Sequence, residues 1–314
     1  MQQVKLTYPL NKDQIPDGPV VLAMGFFDGV HRGHKAVINT ALKIARERQL
    51  PLAILTYSHA PGIVYHQYKA GFKYLTPAPR KAAIMHELGA DIVYMVSFTS
   101  AYASQEPQDF VDNFLMALHP EVVVAGFDHT YGKKDVATME RLPEYAKGRF
   151  EVVTVPKLTV EDGDGKVSST YVRECLTNHK IEEANEALGY TYTTTGLVVH
   201  GFARGRTLGL PTANIDTPET EIVPPIGVYV TEVKIQGKWY GGMASVGYNV
   251  TFGKADEPTV EIYLFDFDQM IYGEEVSVRW YKYLRGEIKF DSADALVDQM
   301  KQDEKDARAF LAQK

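Results

Sequence analysis

The sequence contains a single cysteine, Cys175, in 314 residues. No internal disulfide can form, so nothing in the chain requires an oxidising compartment. Long apolar runs are missing too. The longest, around residues 19–27, is far short of the roughly 20 residues that span a bilayer. Met1 to Leu10 holds a lone Lys5 and no apolar core of signal-peptide length, so a cytoplasmic location and no membrane partner are expected. Positive charge is in deficit: 33 basic against 40 acidic side chains leave a formal charge of −7. That balance argues against a surface built for nucleic acid. Repeats and low-complexity tracts are absent. So is a Walker A loop, because the Gly-Lys pairs at 132, 165, 237 and 253 lack the Ser or Thr that must follow. What is present is an ordinary globular composition, 45% hydrophobic and 23% charged. The chain exceeds the ~250–300 residues at which one core stops growing, so two domains are expected.

Two textures divide the chain. Up to residue 187, short β-branched runs (Val20–Met24, Leu52–Tyr57, Ile92–Val96, Val122–Ala125, Val152–Val155) alternate with helix-length stretches. Those stretches are His34–Arg48, Arg80–Leu88, Gln108–Leu118 and Met139–Lys147. Apolar strands separated by helices signal a parallel sheet covered on both faces, an α/β domain of Rossmann-like type. Over 188–314 the apolar segments alternate and no helix separates them: Val228–Val233, Trp239–Val246, Thr259–Phe265 and Val276–Tyr283. Antiparallel strands follow, as a small barrel or sandwich. Asp291 or Ser292 then caps a last helix, with Leu296, Val297, Met300, Ala307, Phe310 and Leu311 on one face.

The first chemical constellation is Gly25-Phe26-Phe27-Asp28-Gly29-Val30-His31-Arg32-Gly33-His34, after a strand and opening a helix. That place is the carboxyl edge of a parallel sheet, where α/β proteins bind ligands. A helix amino terminus offers free N–H groups and a positive dipole end to phosphate. His31 and His34 flank Gly33, which allows close approach, and the two imidazoles can stabilise charge developing on an attacked phosphate. On a bare glycine-rich turn they would be surface histidines; the position between strand and helix favours a site.

This segment resembles the signature of the nucleotidylyltransferase superfamily, and in its fuller form the FMN adenylyltransferase domain of bacterial bifunctional FAD synthetases. Ala125-Gly126-Phe127-Asp128 is similar to that family's Gly-x-Asp segment, and Val167-Ser168-Ser169-Thr170-Tyr171-Val172-Arg173 to its Ser-Ser-Thr-x-x-Arg motif. The resemblance implies ATP binding by Gly25, Phe26, Asp28, Gly29, Gly33, Asp128, Ser168, Ser169, Thr170 and Arg173, with His31 and His34 catalytic. Ser168 to Thr170 can cap a helix, and Arg173 then falls one turn further on. Two segments depart from the family: His129-Thr130-Tyr131 replaces an aromatic–basic–aromatic run, and Thr56-Tyr57-Ser58-His59-Ala60-Pro61 replaces Thr-Phe-x-Pro-His-Pro.

The second constellation has glycines at 201, 205 and 209 with Arg204 and Arg206 between them, leading into Leu210-Pro211-Thr212-Ala213-Asn214. A glycine loop carrying arginines can wrap an anion. The stretch resembles riboflavin kinase, whose characteristic segment is Gly-Arg-x-Leu-Gly-x-Pro-Thr-Ala-Asn. The resemblance implies ATP binding by Gly201, Gly205, Arg206 and Gly209, with Thr212 and Asn214 holding Mg²⁺, for which hydroxyl and amide oxygens are suited. It makes Glu261 the base for the ribityl hydroxyl. Arg285 and Glu287, in Arg285-Gly286-Glu287, would close over flavin. Leu210 and Val250 replace the family's usual Phe and Pro. The expected function is bifunctional: ATP-dependent phosphorylation of riboflavin to FMN, then adenylylation of FMN to FAD with release of pyrophosphate. The alternatives are a riboflavin kinase with a weak or inactive adenylyltransferase domain and a non-catalytic flavin-binding protein. The oligomeric state is open.

Overall fold

The computed structural model describes every residue except 69–70, 159–166, 202–210 and 249–257. Two compact units divide between Ser169 and Thr170.

The first unit is a six-stranded parallel sheet in the order β1-β4-β3-β2-β5-β6. Its strands are β1 (Gln2–Leu6), β2 (Val20–Met24), β3 (Leu52–Tyr57), β4 (Ile92–Val96), β5 (Pro120–Gly126) and β6 (Glu151–Val155). The pleat sends alternate residues to opposite faces. Val20, Leu22 and Met24 enter one apolar cluster, while Val21 and Ala23 enter another. Both clusters are buried, so the strands read as unbroken apolar runs. Helix α1 (Arg32–Arg48) covers one face with Val37, Ile38, Ala41 and Ala45 and stops at Gln49 in the left-handed conformation. Helix α2 (Ala78–Glu87) buries Ala82 and Met85, and unexpectedly Lys81.

Strand β1 escapes sequence reading because it is an edge strand that buries only Val4 and Leu6. The expected helix Gln108–Leu118 is a composite: an α-turn Pro107–Asp109, a π-helical stretch Phe110–Leu115 and a 3-10 turn Met116–Leu118. The wider winding lets Phe110 and Phe114 stack at 5.7 Å, so packing overrides the simple 3.6-residue period. The expected helix Met139–Lys147 contracts to Leu142–Ala146: residues 139–141 form a turn, and Lys147 and Gly148 end the helix at positive φ.

The second unit holds α3, which runs Ser169–Thr177 across the division, α4 (Ile181–Leu188) and a closed antiparallel barrel. Barrel order is β10-β11-β8-β7-β12-β9, built from β7 (Thr193–Val199), β8 (Thr212–Asp216), β9 (Gly227–Ile235), β10 (Lys238–Tyr248), β11 (Pro258–Leu264) and β12 (Glu275–Arg285). Closure resolves the choice between barrel and sandwich and removes free sheet edges. Strands β7 and β8 are rich in Thr and Asn and carry little apolar signal, which hides them in the sequence. Ser292 caps the final helix, α5 (Ala293–Leu311), accepting from the Ala295 N–H. Ala307 is buried, and Met300, Phe310 and Leu311 pack with it against Val230, Met243, Phe265 and Tyr281.

Candidate functional site

Sheet order brings the pieces of the first site together. Successive strands run one way from β2 through β3 to β4, whereas β5 lies on the other side of β2. This is a topological switch point, and ligands of open α/β sheets bind in the crevice beyond it. Met24 pairs with Ala125, so the Gly25–His34 turn and Gly126-Phe127-Asp128 leave neighbouring strand ends. The turn is tightly bent: Phe27 has φ 55°, Gly29 86° and Val30 36°. A side chain at Gly25 would meet the Phe27 ring at 2.7 Å. A β-branched residue such as Val30 at positive φ is a costly conformation that persists only where its surroundings enforce it.

Those surroundings are visible. Asp28 is 1% exposed, and its Oδ1 accepts from the Leu75 and Thr76 N–H groups, both at 3.1 Å. The Gly29 N–H donates to Thr76 Oγ1 at 2.7 Å. The Asp28 carboxylate therefore braces the turn. From the far end of the unit, Ser169 Oγ donates to the Asp28 carbonyl at 2.7 Å, and a Cβ at Gly33 would lie 3.5 Å from the Val167 carbonyl. The Ser168-Ser169 segment thus docks on the turn. Thr170 and Arg173 continue on α3, Arg173 four residues beyond Ser169 on the same side of the helix.

His31 is the N-cap of α1 and is 5% exposed. Its Nδ1 accepts from the His34 N–H at 3.3 Å, which leaves the proton of the neutral ring on Nε2. The two imidazoles stack with centroids 3.6 Å apart. The two imidazoles are thus held beside the amino terminus of a helix, the positive end of its dipole. Phe26 is half-buried beside Phe72 and Tyr74, while Asp128 is exposed.

The departures from the family pattern turn inward. Tyr131 is buried and stacks on Phe110 at 5.4 Å. Burial holds His129 neutral by lowering its pKa to about 4 against the pull of Asp128. Both ring nitrogens of His59 are engaged, one with Ser58 Oγ at 2.9 Å and the other with the Phe98 carbonyl at 2.7 Å.

The second site lies on the barrel. A cavity of about 240 Å³, open to solvent on one side, is lined by strand residues Thr212, Val228, Met243, Ser245, Glu261, Tyr263 and Arg285 and by Leu296, Met300 and Asp303 of α5. Strand alternation puts Thr212 and Asn214 on one face of β8. Asn214 pairs with Glu261 across β8 and β11, and Glu261 with Ser245 across β11 and β10. The Thr212 hydroxyl donates to Glu261 Oε1 in a short hydrogen bond. Gly201 leaves room for the Asn214 amide, with which a Cβ at 201 would collide. Arg285 reaches the cavity through a fork onto Asp303: its Nε lies 3.1 Å from both carboxylate oxygens and Nη2 2.6 Å from Oδ2. Glu287 is exposed, and its Oε1 would lie 2.5 Å from a Cβ at Gly247. Gly205, Arg206 and Gly209, with Arg204, Leu210 and Val250, lie outside the described residues. Among those described, no group of three His, Cys, Asp or Glu could hold a metal, and no helix is long and apolar enough to cross a membrane.

Three supporting residues escape sequence reading: Thr76, Lys81 and Asp303. Lys81 and Asp303 do leave a signal. Each interrupts an apolar helical stripe, Ala78-Lys81-Ala82-Met85 in one case and Leu296-Met300-Asp303-Ala307 in the other.

Fold and sites together define a class: a nucleotide-using transferase with a nucleotidylyltransferase-like sheet domain and a separate barrel domain. The family model for "FAD synthetase" matches residues 13–171, and that for "Riboflavin kinase" matches residues 188–311. Relatives named "Bifunctional riboflavin kinase/FMN adenylyltransferase" match end to end. That of Listeria monocytogenes is 47% identical over 312 residues, covering 99% of both chains, and that of Bacillus subtilis 38% identical over 314 residues, again 99% of each. A crystal structure described as a macrolide-efflux protein from Streptococcus pneumoniae is 38% identical, with a TM-score of 0.88 over 97% of this chain and 99% of that one. The chain belongs to the bifunctional riboflavin kinase/FMN adenylyltransferase family.

Proposed function

We propose that the chain makes FAD from riboflavin in two ATP-dependent steps, with residues 188–314 acting as the kinase and residues 1–187 as the adenylyltransferase. The observation that carries the reading is the meeting of Thr212, Glu261 and Arg285, from three strands, on one barrel cavity. In the first step Glu261 accepts the proton of the ribityl hydroxyl as its oxygen attacks the γ-phosphorus of ATP and ADP leaves. Thr212 orients the carboxylate through its hydrogen bond. Arg285 and Glu287 bind the flavin. The oxygens of Thr212 and Asn214, on one face of β8 with Gly201 giving the amide room, are hard donors that suit Mg²⁺ and would hold it. A Mg²⁺ ion held by these oxygens would supply charge neutralisation to the phosphates.

In the second step an FMN phosphate oxygen attacks the α-phosphorus of ATP and pyrophosphate leaves. His31 Nε2–H and the His34 ring donate to the oxygens that gain charge, and no covalent enzyme intermediate is needed. The α1 terminus, Gly33, Ser168 and Ser169 hold the triphosphate, and the family motif also assigns ATP to Thr170 and Arg173. ATP, riboflavin, FMN and FAD are the ligands, and a cytoplasmic location fits the lone buried cysteine.

The test is one time course of riboflavin with ATP and MgCl₂, resolving FMN and FAD chromatographically. FMN should rise first and FAD follow. A chain that makes FMN but leaves supplied FMN unchanged is a kinase alone, and one that makes neither refutes the reading.

A further inference from the structure

Lys81 is 2% exposed beneath the first site. Its Nζ donates to the Phe26 carbonyl at 2.9 Å and the Tyr57 carbonyl at 2.8 Å, and lies 4.7 Å from the centre of the Phe26 ring. These carbonyls close the ends of adjacent strands, β2 and β3, at the ligand-binding edge. The Phe26 carbonyl directly precedes the bent stretch from Phe27 to Val30. Bridging carbonyls does not itself require a cation. The Thr56 hydroxyl bonds the same Phe26 oxygen at 2.8 Å without one. Burying an ammonium is expensive, and what it adds over a hydroxyl is charge.

We infer that Lys81 is a positioning residue for adenylyl transfer, drawing the ATP triphosphate onto the Gly25–His34 turn while its ammonium is charged. The inference rests on the adenylyltransferase reading above. Asp28 is the carboxylate that faces Lys81, and its Oδ1 is occupied with the Leu75 and Thr76 N–H groups. Arg80 precedes Lys81 on α2. The phenols nearby are neutral: burial raises Tyr57 to about 12 and also raises Tyr74. Burial lowers Lys81 from the usual lysine range to about 7, with Asp28 opposing. Below that pH the free protein carries the charge, and as pH rises through it the charge is lost. Binding a polyanion favours the charged form, so the loss falls on capture of ATP and therefore on kcat/KM.

The experiment uses the full chain, wild type with Lys81→Arg and Lys81→Met, and measures FAD formation from FMN against ATP concentration between about pH 6 and about pH 9. Riboflavin phosphorylation by the same molecules is the internal control. In the wild type, kcat/KM for ATP in FAD formation should fall above about pH 7, approaching one decade per unit, while phosphorylation lacks that limb. Lys81→Arg should flatten the limb. Lys81→Met should lower kcat/KM about 10- to 100-fold at the acidic end, chiefly through KM, with phosphorylation intact. Should Lys81→Met unfold the first unit, seen as lost helical circular dichroism, the wild-type profile against that of Lys81→Arg decides. A limb that persists unaltered in Lys81→Arg, or a Lys81→Met protein that captures ATP normally, overturns the inference. A wild type that forms no FAD at all instead refutes the adenylyltransferase reading beneath it.

Discussion

Replacing Asp303 by Asn tests how the barrel cavity is held open. Asp303 is 4% exposed and accepts from Arg285 Nε and Nη2 and from Gln299 Nε2 at 2.8 Å. Asn keeps the volume, so no void forms, but the charge is lost and an amide N–H is turned toward a guanidinium. Removing one partner of a fully buried pair costs about 3–5 kcal/mol. The Arg285 side chain is 19% exposed and recovers some hydration, so the expected loss is about 2–4 kcal/mol. Both tryptophans, Trp239 and Trp280, lie in the barrel, and Trp280 is buried with its Nε1–H on Thr194 Oγ1 at 2.9 Å. Tryptophan fluorescence therefore reports unfolding of the barrel alone. With a slope of about 2 kcal/mol/M, the urea midpoint should drop by about 1–2 M. The KM for riboflavin should rise as well, because Arg285 loses its anchor. The double variant Arg285→Met with Asp303→Leu should regain most of the stability but not the riboflavin affinity, since apolar replacements remove the desolvation cost along with the pair. A midpoint unchanged in Asp303→Asn together with an unchanged KM would refute the reasoning.

Glu261→Gln should slow riboflavin phosphorylation about 10²- to 10⁴-fold while leaving FAD formation from supplied FMN in place; an unchanged phosphorylation rate removes Glu261 as the base. His31→Ala and His34→Ala should each abolish FAD formation and spare phosphorylation. His31→Ala should also cost about 1 kcal/mol through the lost N-cap, read by thermal melting; parallel loss of both activities would mean the two sites are not separate. Gly201→Ala should displace the Asn214 amide and raise the KM for ATP in phosphorylation, with circular dichroism unchanged. A KM equal to that of the wild type would detach Asn214 from the nucleotide site.

Much was legible in the sequence because the informative features are local. A strand, a glycine-bearing turn and a helix start adjoin within ten residues, so Gly25–His34 reads as a candidate phosphate site from local pattern alone. The apolar stripe of α5 and its Ser292 cap are likewise contained in one segment. Length led to an expectation of two domains, while charge and the lone cysteine argued against a broadly basic surface and an internal disulfide framework. The parts that stayed hidden depend on residues distant in the chain or on faint patterns. Strands β7 and β8 mix Thr, Gly and Asn with few apolar residues, and each is paired on both sides in the closed barrel. The π-helical winding at Phe110–Leu115 follows from aromatic packing across segments rather than from propensity.

Tertiary structure alone decided what each motif residue touches. Asp28 reads as a nucleotide contact, yet its carboxylate braces the turn from Leu75 and Thr76, some 47 positions away. Ser169 reads as a helix cap and is bonded to the Asp28 carbonyl 141 positions earlier. Tyr131 reads only as part of a departure from the family's aromatic–basic–aromatic run, and it lies in the core. Lys81 and Asp303 become visible as partners only once strand ends and cavity walls are assembled, because a charge on an apolar stripe has no meaning until its neighbour is known. The sequence by itself determined which chemistry is available and near which strand end. The order of the sheet and the closure of the barrel determined which groups face one another, since contacts that far apart in the chain exist only after the backbone has folded.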